Sequence, residues 1–464
     1  MAAGAPVRTA DGLASLRART LFILWTTYGS FYFCRVNIGP ARNSIQAALG
    51  LSAFEIGLVL GALKLGYAIG QLVNGQLTER FGARRILRIG MLGSSGATLL
   101  FAASPALARI SGLSAVASAV TAPLRWILGS TPIDVAWSGL LPLMLLLAFA
   151  NGWFQACGWP PVVKVASVWF PVEQRGRTMG ILGTSLTLGS AVAFVAVGAL
   201  VHATGDWRIA CVAPAALLLA SSVHTSLRLR EQPPDVRAPP AVGAPEAPDA
   251  QPHRMPVGEA LRATVGNPRI WVLALGLFGL DAVRYGFLDW APGHLAEVHG
   301  TGALPAALKT AVLPLAGAVG ALSSGWLTDR YFQSRRAPVC AILLGAVAFL
   351  TLVYRVVVDL GALPTVITLA LAGFCLFGAQ ILLVGTAAQD FARRGATAAA
   401  AGFVDFVGHV GAFSGDVVTG WMLKHHGWGG AIGWWASAAF VAALLVATLW
   451  RARPGEGATL PLPA

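Results

Sequence analysis

Charge is what this sequence has least of. Its 33 Lys and Arg and 20 Asp and Glu make up 11% of 464 residues, where a soluble globular domain carries roughly a quarter. With 56% hydrophobic residues and a mean hydropathy of +0.68, that deficit excludes an ordinary soluble enzyme, a disordered chain and a nucleic-acid-binding domain. The net charge of +13 does not restore a nucleic-acid partner, because most of it lies in short loops between apolar runs. Cysteine is scarce too. Cys34, Cys157, Cys211, Cys340 and Cys375 all sit inside apolar runs, with neither metal-ligand spacing nor a loop position for a disulfide. No short leader with a small-residue cleavage site opens the chain, so Leu21–Ala41 reads as a first retained span. There is no nucleophile–base constellation and no phosphate-cradling glycine loop, so no catalytic residue, metal or cofactor is expected.

What the sequence does hold is twelve apolar runs: 20–41, 53–77, 86–104, 138–160, 177–201, 208–227, 269–293, 304–327, 338–358, 363–387, 397–422 and 428–450. Each is long enough to cross a hydrocarbon core of about 30 Å. With both termini placed in the cytoplasm, inside segments hold 22 Lys and Arg against six outside, a bias that orients the chain in an inner membrane. The expected organisation is a cytoplasmic N-terminus over 1–19, a first bundle over 20–230, a cytoplasmic linker over 231–268, a second bundle over 269–450 and a tail over 451–464. The linker is rich in Pro, Ala and charge and cannot build a core. A monomer in the lipid bilayer is expected.

The two halves repeat. GQLTERFGARR (Gly75–Arg85) matches GWLTDRYFQSRR (Gly325–Arg336) at an offset of 250, and RGRTMGILG (Arg175–Gly183) matches RGATAAAAG (Arg394–Gly402) at 219. The first half therefore carries 31 extra residues, placed in the outside stretch 105–137, which reads as an insertion with an interfacial amphipathic helix. A parallel six-plus-six repeat and the loop Gly75–Arg85 resemble the major facilitator superfamily, whose binding sites lie at the midplane between halves. The expected fold is thus an all-α membrane protein of twelve transmembrane helices in two pseudo-symmetric six-helix bundles. Glu79, Arg80 and Arg84, with Asp329 and Arg330 in the second half, are expected to latch helix ends in one conformation.

Ionisable residues at bilayer depth are functional candidates by default. Arg35 and Arg284 are 249 residues apart, within one residue of the repeat offset, so they occupy equivalent places and are expected to face one cavity. Arginine offers a planar fork of donors suited to phosphate or carboxylate, and two of them form a dianion clamp. The competing role is structural pairing: Asp281 lies one turn before Arg284, whereas Arg35 has no acid within a turn. Tyr28, Tyr32 and Arg35 share one helix face.

YGSFYFCR, GWFQACGWPPVVK, RYGFLDWAP and ATAAAAGFVDFVGHVG resemble the organophosphate:phosphate antiporters, a family that includes glycerol-3-phosphate and hexose-phosphate transporters. The resemblance implies exchange of a phosphorylated metabolite (sugar phosphate, glycerol phosphate or phosphonate) for inorganic phosphate by alternating access. It also implies phosphate-binding roles for Arg35 and Arg284, with Tyr28, Tyr32 and Tyr67 as the helix-1 and helix-2 tyrosines. This chain departs from the family at Leu186, at Gln71, and at the additional Lys64, Asp281, Asp405 and His409. Lys64 is either a third anion contact or a partner of Asp405. Asp405 and His409, spaced i, i+4, are either a pH-sensitive coupling pair or a packing hydrogen bond. The two acids also admit a substrate carrying an amine beside its phosphate. Two other functions fit the sequence: a non-transporting membrane sensor of sugar phosphates, and a proton-coupled organic-anion symporter.

Overall fold

The computed structural model describes residues 10–129, 139–170, 172–233, 257–333, 335–392 and 396–452, and among them every regular element is helical. The spans are α1 (Ala10–Phe31), α2 (Ala53–Phe81), α3 (Ala83–Leu107), α4 (Leu140–Gln155), α5 (Val172–Thr204), α6 (Ile209–Arg228), α7 (Pro268–Tyr285), α8 (Ala303–Tyr331), α9 (Arg336–Val357) and α10 (Ala362–Ile381). A last helical stretch, Thr397–Ala447, is divided at Gly427, whose φ of 65° no helix interior tolerates, into α11 (397–426) and α12 (428–447). Ten helical segments are long and apolar enough to cross a membrane. Adding α1 and dividing the last segment brings the number to twelve. Large apolar side chains point outward, among them Phe22, Leu227, Phe349 and Leu363 at 63–75% exposure. In a bilayer that surface meets acyl chains, and the helices satisfy their own backbone groups.

The helices pair as two related bundles. In the first, α1 packs on α5 and α6, α2 on α4, and α3 on α4 and α6; in the second, α8 packs on α10, α9 on α10, and α7 on the α11–α12 segment. Across the bundles, α2 meets α11 and α5 meets α8, a pattern mapped onto itself when the halves are exchanged. Small residues permit the crossings. A Cβ on Gly152 would collide with the Leu63 carbonyl, and one on Gly373 with the Leu313 carbonyl at the equivalent α8–α10 crossing. Gly152→Val is therefore expected to push α4 off α2 and to lower stability by about 1–3 kcal/mol. Thermal unfolding in detergent measures this, and a valine variant as stable as the parent would contradict so close an approach.

Four helices, α1, α4, α7 and α10, run longer than the expected spans because each is interrupted. α1 breaks into a 3₁₀ turn at Tyr32–Cys34 and resumes over Ile38–Leu49; α4 breaks before Trp159 and resumes to Trp169. α7 passes through a π turn at Gly286–Trp290 into Ala291–Val298, and α10 through another at Leu382–Ala387. Only the α4 break has a plain sequence cue, Gly158-Trp159-Pro160-Pro161. The stretch 105–137 contains two short helices, Ser111–Val120 and Ala122–Gly129, with Val116, Val120 and Trp126 58–78% exposed; residues 130–138 lie outside the described part. Within the stretch read as linker, Val257–Val265 is helical. Glu231, at its start, accepts from the Ala83 and Arg84 amides at 3.2 and 3.0 Å, placing a carboxylate on the N-terminus of α3.

Candidate functional site

The break in α1 builds one half of the site. Interrupting a helix inside a membrane frees carbonyls that must find other donors, and α4 supplies them as side-chain amides. Gln155 Nε2 donates to Phe31 O at 3.0 Å, and Asn151 Nδ2 donates to Cys34 O at 2.8 Å. Ser94 ties the two amides together, donating to Asn151 Oδ1 at 2.7 Å and accepting from Gln155 Nε2 at 2.8 Å. Gln155 Oε1 then accepts from Arg35 Nε at 3.1 Å, and the Tyr32 hydroxyl accepts from Arg35 Nη1 at 2.9 Å. The guanidinium carbon lies 4.5 Å from the ring centres of both Tyr32 and Tyr67 and 5.9 Å from that of Tyr28. Tyr28 and Tyr32 meet edge to face at 5.6 Å. Arg35 is 5% exposed, and among the described residues no carboxylate bonds to it.

Arg284, on α7, is 4% exposed and lies 4.4 Å over the Tyr285 ring. Its Nε stands 3.1 Å from Asp281 Oδ1. The contact lacks hydrogen-bond alignment, and both Asp281 oxygens are buried with no donor directed at them. Arg35 and Arg284 both lie within electrostatic reach of Tyr285, Asp405 and His409. The structure thus brings the two repeat-equivalent arginines to one cluster at the seam, each from its own bundle.

Lys64 lies elsewhere than either expected place. It is 1% exposed, donates to Asp289 Oδ2, and approaches Asp416 Oδ2 at 3.2 Å. Asp416 Oδ1 also accepts from Trp290 Nε1 at 3.0 Å. The Lys64 ammonium is therefore bonded to two carboxylates of the other bundle, neither of them Asp405. Asp405 accepts from Gln71 Nε2 at 3.2 Å, and Gln71 Nε2 also donates to the Tyr67 hydroxyl at 2.9 Å. His409 Nδ1 bonds the Asp405 carbonyl oxygen at 2.9 Å, with the Asp405 carboxylate at 3.5 Å, and its ring stacks on Tyr67 at 4.4 Å.

These cross-bundle contacts are polarised along the molecule. At the end carrying the α1–α2 connection, Arg42 pairs with Glu297 at 2.9 Å and Asn43 Nδ2 donates to Gly293 O at 3.0 Å, while Trp428 Nε1, from the same bundle as Glu297, donates to that carboxylate at 2.8 Å. The Lys64 cluster follows, then Tyr67–His409 and Gln71–Asp405. Beyond Gln71–Asp405, toward the α2–α3 end, Arg17–Trp169, Trp25–Thr184 and Arg336–Asp390 each stay within one bundle. Of the expected latch, Arg84 donates to Ser226 O and so fastens α3 to α6, while Arg80 and Arg330 are exposed. The side chains of Glu79 and Asp329 lie outside the described part. Sequence reasoning missed Gln155, Asp289, Asp416 and Tyr285. The acids had a usable signal, a carboxylate within an apolar span; Gln155 had none, since its role depends on the break in another helix.

Comparison with known proteins gives concordant results. The family model described as Major Facilitator Superfamily matches residues 24–415. The glycerol-3-phosphate transporter of Bacillus subtilis is 27% identical, covering 94% of this chain and 92% of its own length. A probable hexose phosphate transport protein of Chlamydia trachomatis is 24% identical over 94% and 91%. Among solved structures, an inward-facing, unoccupied bacterial homolog of the human lysosomal transporter Spinster superposes with a TM-score of 0.66 at 18% identity, covering 93% of this chain and 95% of that one.

Proposed function

We propose, from the premise that the chain belongs to the Major Facilitator Superfamily, a family of carriers and not of enzymes, that it moves a phosphorylated organic metabolite in exchange for inorganic phosphate. One observation carries this reading: a buried guanidinium from each bundle at the seam, of which Arg35 has its fork oriented by Gln155 and Tyr32 and, among the described residues, no carboxylate bonded to it. A phosphate group satisfies such a fork with paired, charge-assisted bonds. The named substrates of the two relatives, glycerol-3-phosphate and hexose phosphate, agree with it, as does the sequence resemblance to the organophosphate:phosphate antiporters.

The exchange follows from electrostatics. With the site empty, closing the open end around Arg35 buries an uncompensated charge, which is costly in a low dielectric. With phosphate bound, the charge is met and the bundles rock past one another. The contacts from Arg42–Glu297 to Lys64–Asp289 must part as the opposite end closes. The positive-inside bias supports cytoplasmic termini, which puts the end held by Arg42–Glu297 on the external side of a plasma membrane. Tyr28, Tyr32 and Tyr67 wall the phosphate, Asp405 and His409 lie opposite, and Arg84 latches helix ends.

The test is counterflow in proteoliposomes. Vesicles loaded with unlabelled phosphate are expected to accumulate labelled phosphate, and external phosphorylated metabolites are expected to discharge it. Phosphate binding without any counterflow would replace the carrier with a sensor. Accumulation driven by a pH gradient and indifferent to internal phosphate would replace it with a symporter.

A further inference from the structure

We infer that the ligand carries an amine beside its phosphate or phosphonate group, a refinement that rests on the phosphate-binding reading above. The cluster at the seam contains three cations, Arg35, Lys64 and Arg284, against four carboxylates, Asp281, Asp289, Asp405 and Asp416. A dianion held by Arg35 meets that one charge and still leaves the acids of the facing bundle in excess of the cations bonded to them in a buried site. An ammonium on the same molecule removes that conflict.

The cluster is also divided by sign. On the first bundle, Arg35 is surrounded by the Tyr28, Tyr32 and Tyr67 rings and by Gln155, with no carboxylate bonded to it among the described residues, and forms an anion pole. On the second, the acids not held by Lys64 are Asp281 and Asp405. Both oxygens of Asp281 are buried with no donor directed at them, and Arg284 Nε is its one ion-pair partner. The Asp405 carboxylate is the most accessible of the four, its side chain 19% exposed against 1% or less for Asp281, Asp289 and Asp416. Among the described residues it bonds the neutral Gln71 amide and lies beside His409; Arg284 and Arg35 are within electrostatic reach, but no formal cation is bonded to it. Tyr67 and His409, stacked at 4.4 Å across the seam, stand between the poles and supply an apolar surface for the carbon chain that joins amine to phosphonate.

A matched pair of competitors isolates the amine: 2-aminoethylphosphonate and ethylphosphonate, each titrated against labelled-phosphate counterflow by the reconstituted full-length protein. The amino compound is expected to compete at least about tenfold better, a difference of about 1.4 kcal/mol. In Asp405→Asn the ratio between the two is expected to fall toward one, and Asp281→Asn provides a second variant should the first not assemble. Equal competition, or preference for ethylphosphonate, by the unmodified protein overturns the amine pole and leaves the phosphate carrier standing. Absence of phosphate counterflow together with absence of phosphate binding overturns both.

Discussion

Arg35→Lys is expected to reduce phosphate exchange by about a hundredfold or more, with protein abundance and folding maintained. The native guanidinium spends Nε on Gln155 Oε1 at 3.1 Å and Nη1 on the Tyr32 hydroxyl at 2.9 Å, with Nη2 held near Gln155 O at 3.5 Å. These bonds orient a rigid plane. An ammonium keeps the charge but is a single point on a flexible stem, and cannot both bond Gln155 and offer two parallel donors to phosphate. Losing one of two charge-assisted bonds costs about 1.5–3 kcal/mol, and the lost orientation adds to it; each 1.4 kcal/mol is tenfold. Arg284→Lys is expected to lose less, because Asp281 at 3.1 Å still holds a cation in place. The measurement is initial exchange rate in proteoliposomes, normalised to reconstituted protein. A lysine variant within about threefold of the parent at Arg35 would argue against the clamp.

The second large effect is on stability. Lys64→Met is expected to cost about 3–5 kcal/mol, because it leaves Asp289 and Asp416 facing one another in a buried site without their shared cation. The triple variant Lys64→Met, Asp289→Asn, Asp416→Asn removes the charges together and is expected to recover most of the loss, since apolar or neutral replacement of a whole buried ionic group is often close to neutral. Thermal unfolding in detergent compares the two. A single variant as stable as the parent would mean that water reaches the carboxylates. The same cluster joins α2 to α7 and α11, so the triple variant also weakens the closed end and is expected to expose the site to external thiol or anion reagents more often than the parent.

How far the sequence can be read depends on the residue. Arg35 and Arg284 were found from a 249-residue spacing against a 250-residue repeat, an argument that needs no coordinates because duplicated helices place equivalent residues alike. Lys64 is legible as a buried cation, expected as a third phosphate contact or as the partner of Asp405, but the acids it bonds are Asp289, which lies in the RYGFLDWAP block, and Asp416. Gln155 and Asn151 were invisible: their importance arises from carbonyls freed by a break in α1, and nothing in YGSFYFCR announces a 3₁₀ turn at Tyr32–Cys34. Asp405 and His409 were recognised as neighbours one turn apart, yet the histidine bonds the Asp405 backbone oxygen at 2.9 Å, and its ring stacks on Tyr67 of the other bundle.

Hydropathy, the charge bias of the loops and the internal repeat determined by themselves that this protein is a bundle of twelve membrane helices in two related halves, with an arginine from each at the centre. Those features are local or periodic, and the bilayer's thickness and its intolerance of charge translate them directly into spans. Which acid meets which base was decided only by tertiary structure. A helix offers several candidate faces to several neighbours, and the pairing depends on crossing angles and on breaks in α1 and α7 that shift register by fractions of a turn. The π turn in α7 contains Asp289, which meets Lys64 beside Asp416, while Asp405 keeps the most exposed carboxylate of the four at the seam.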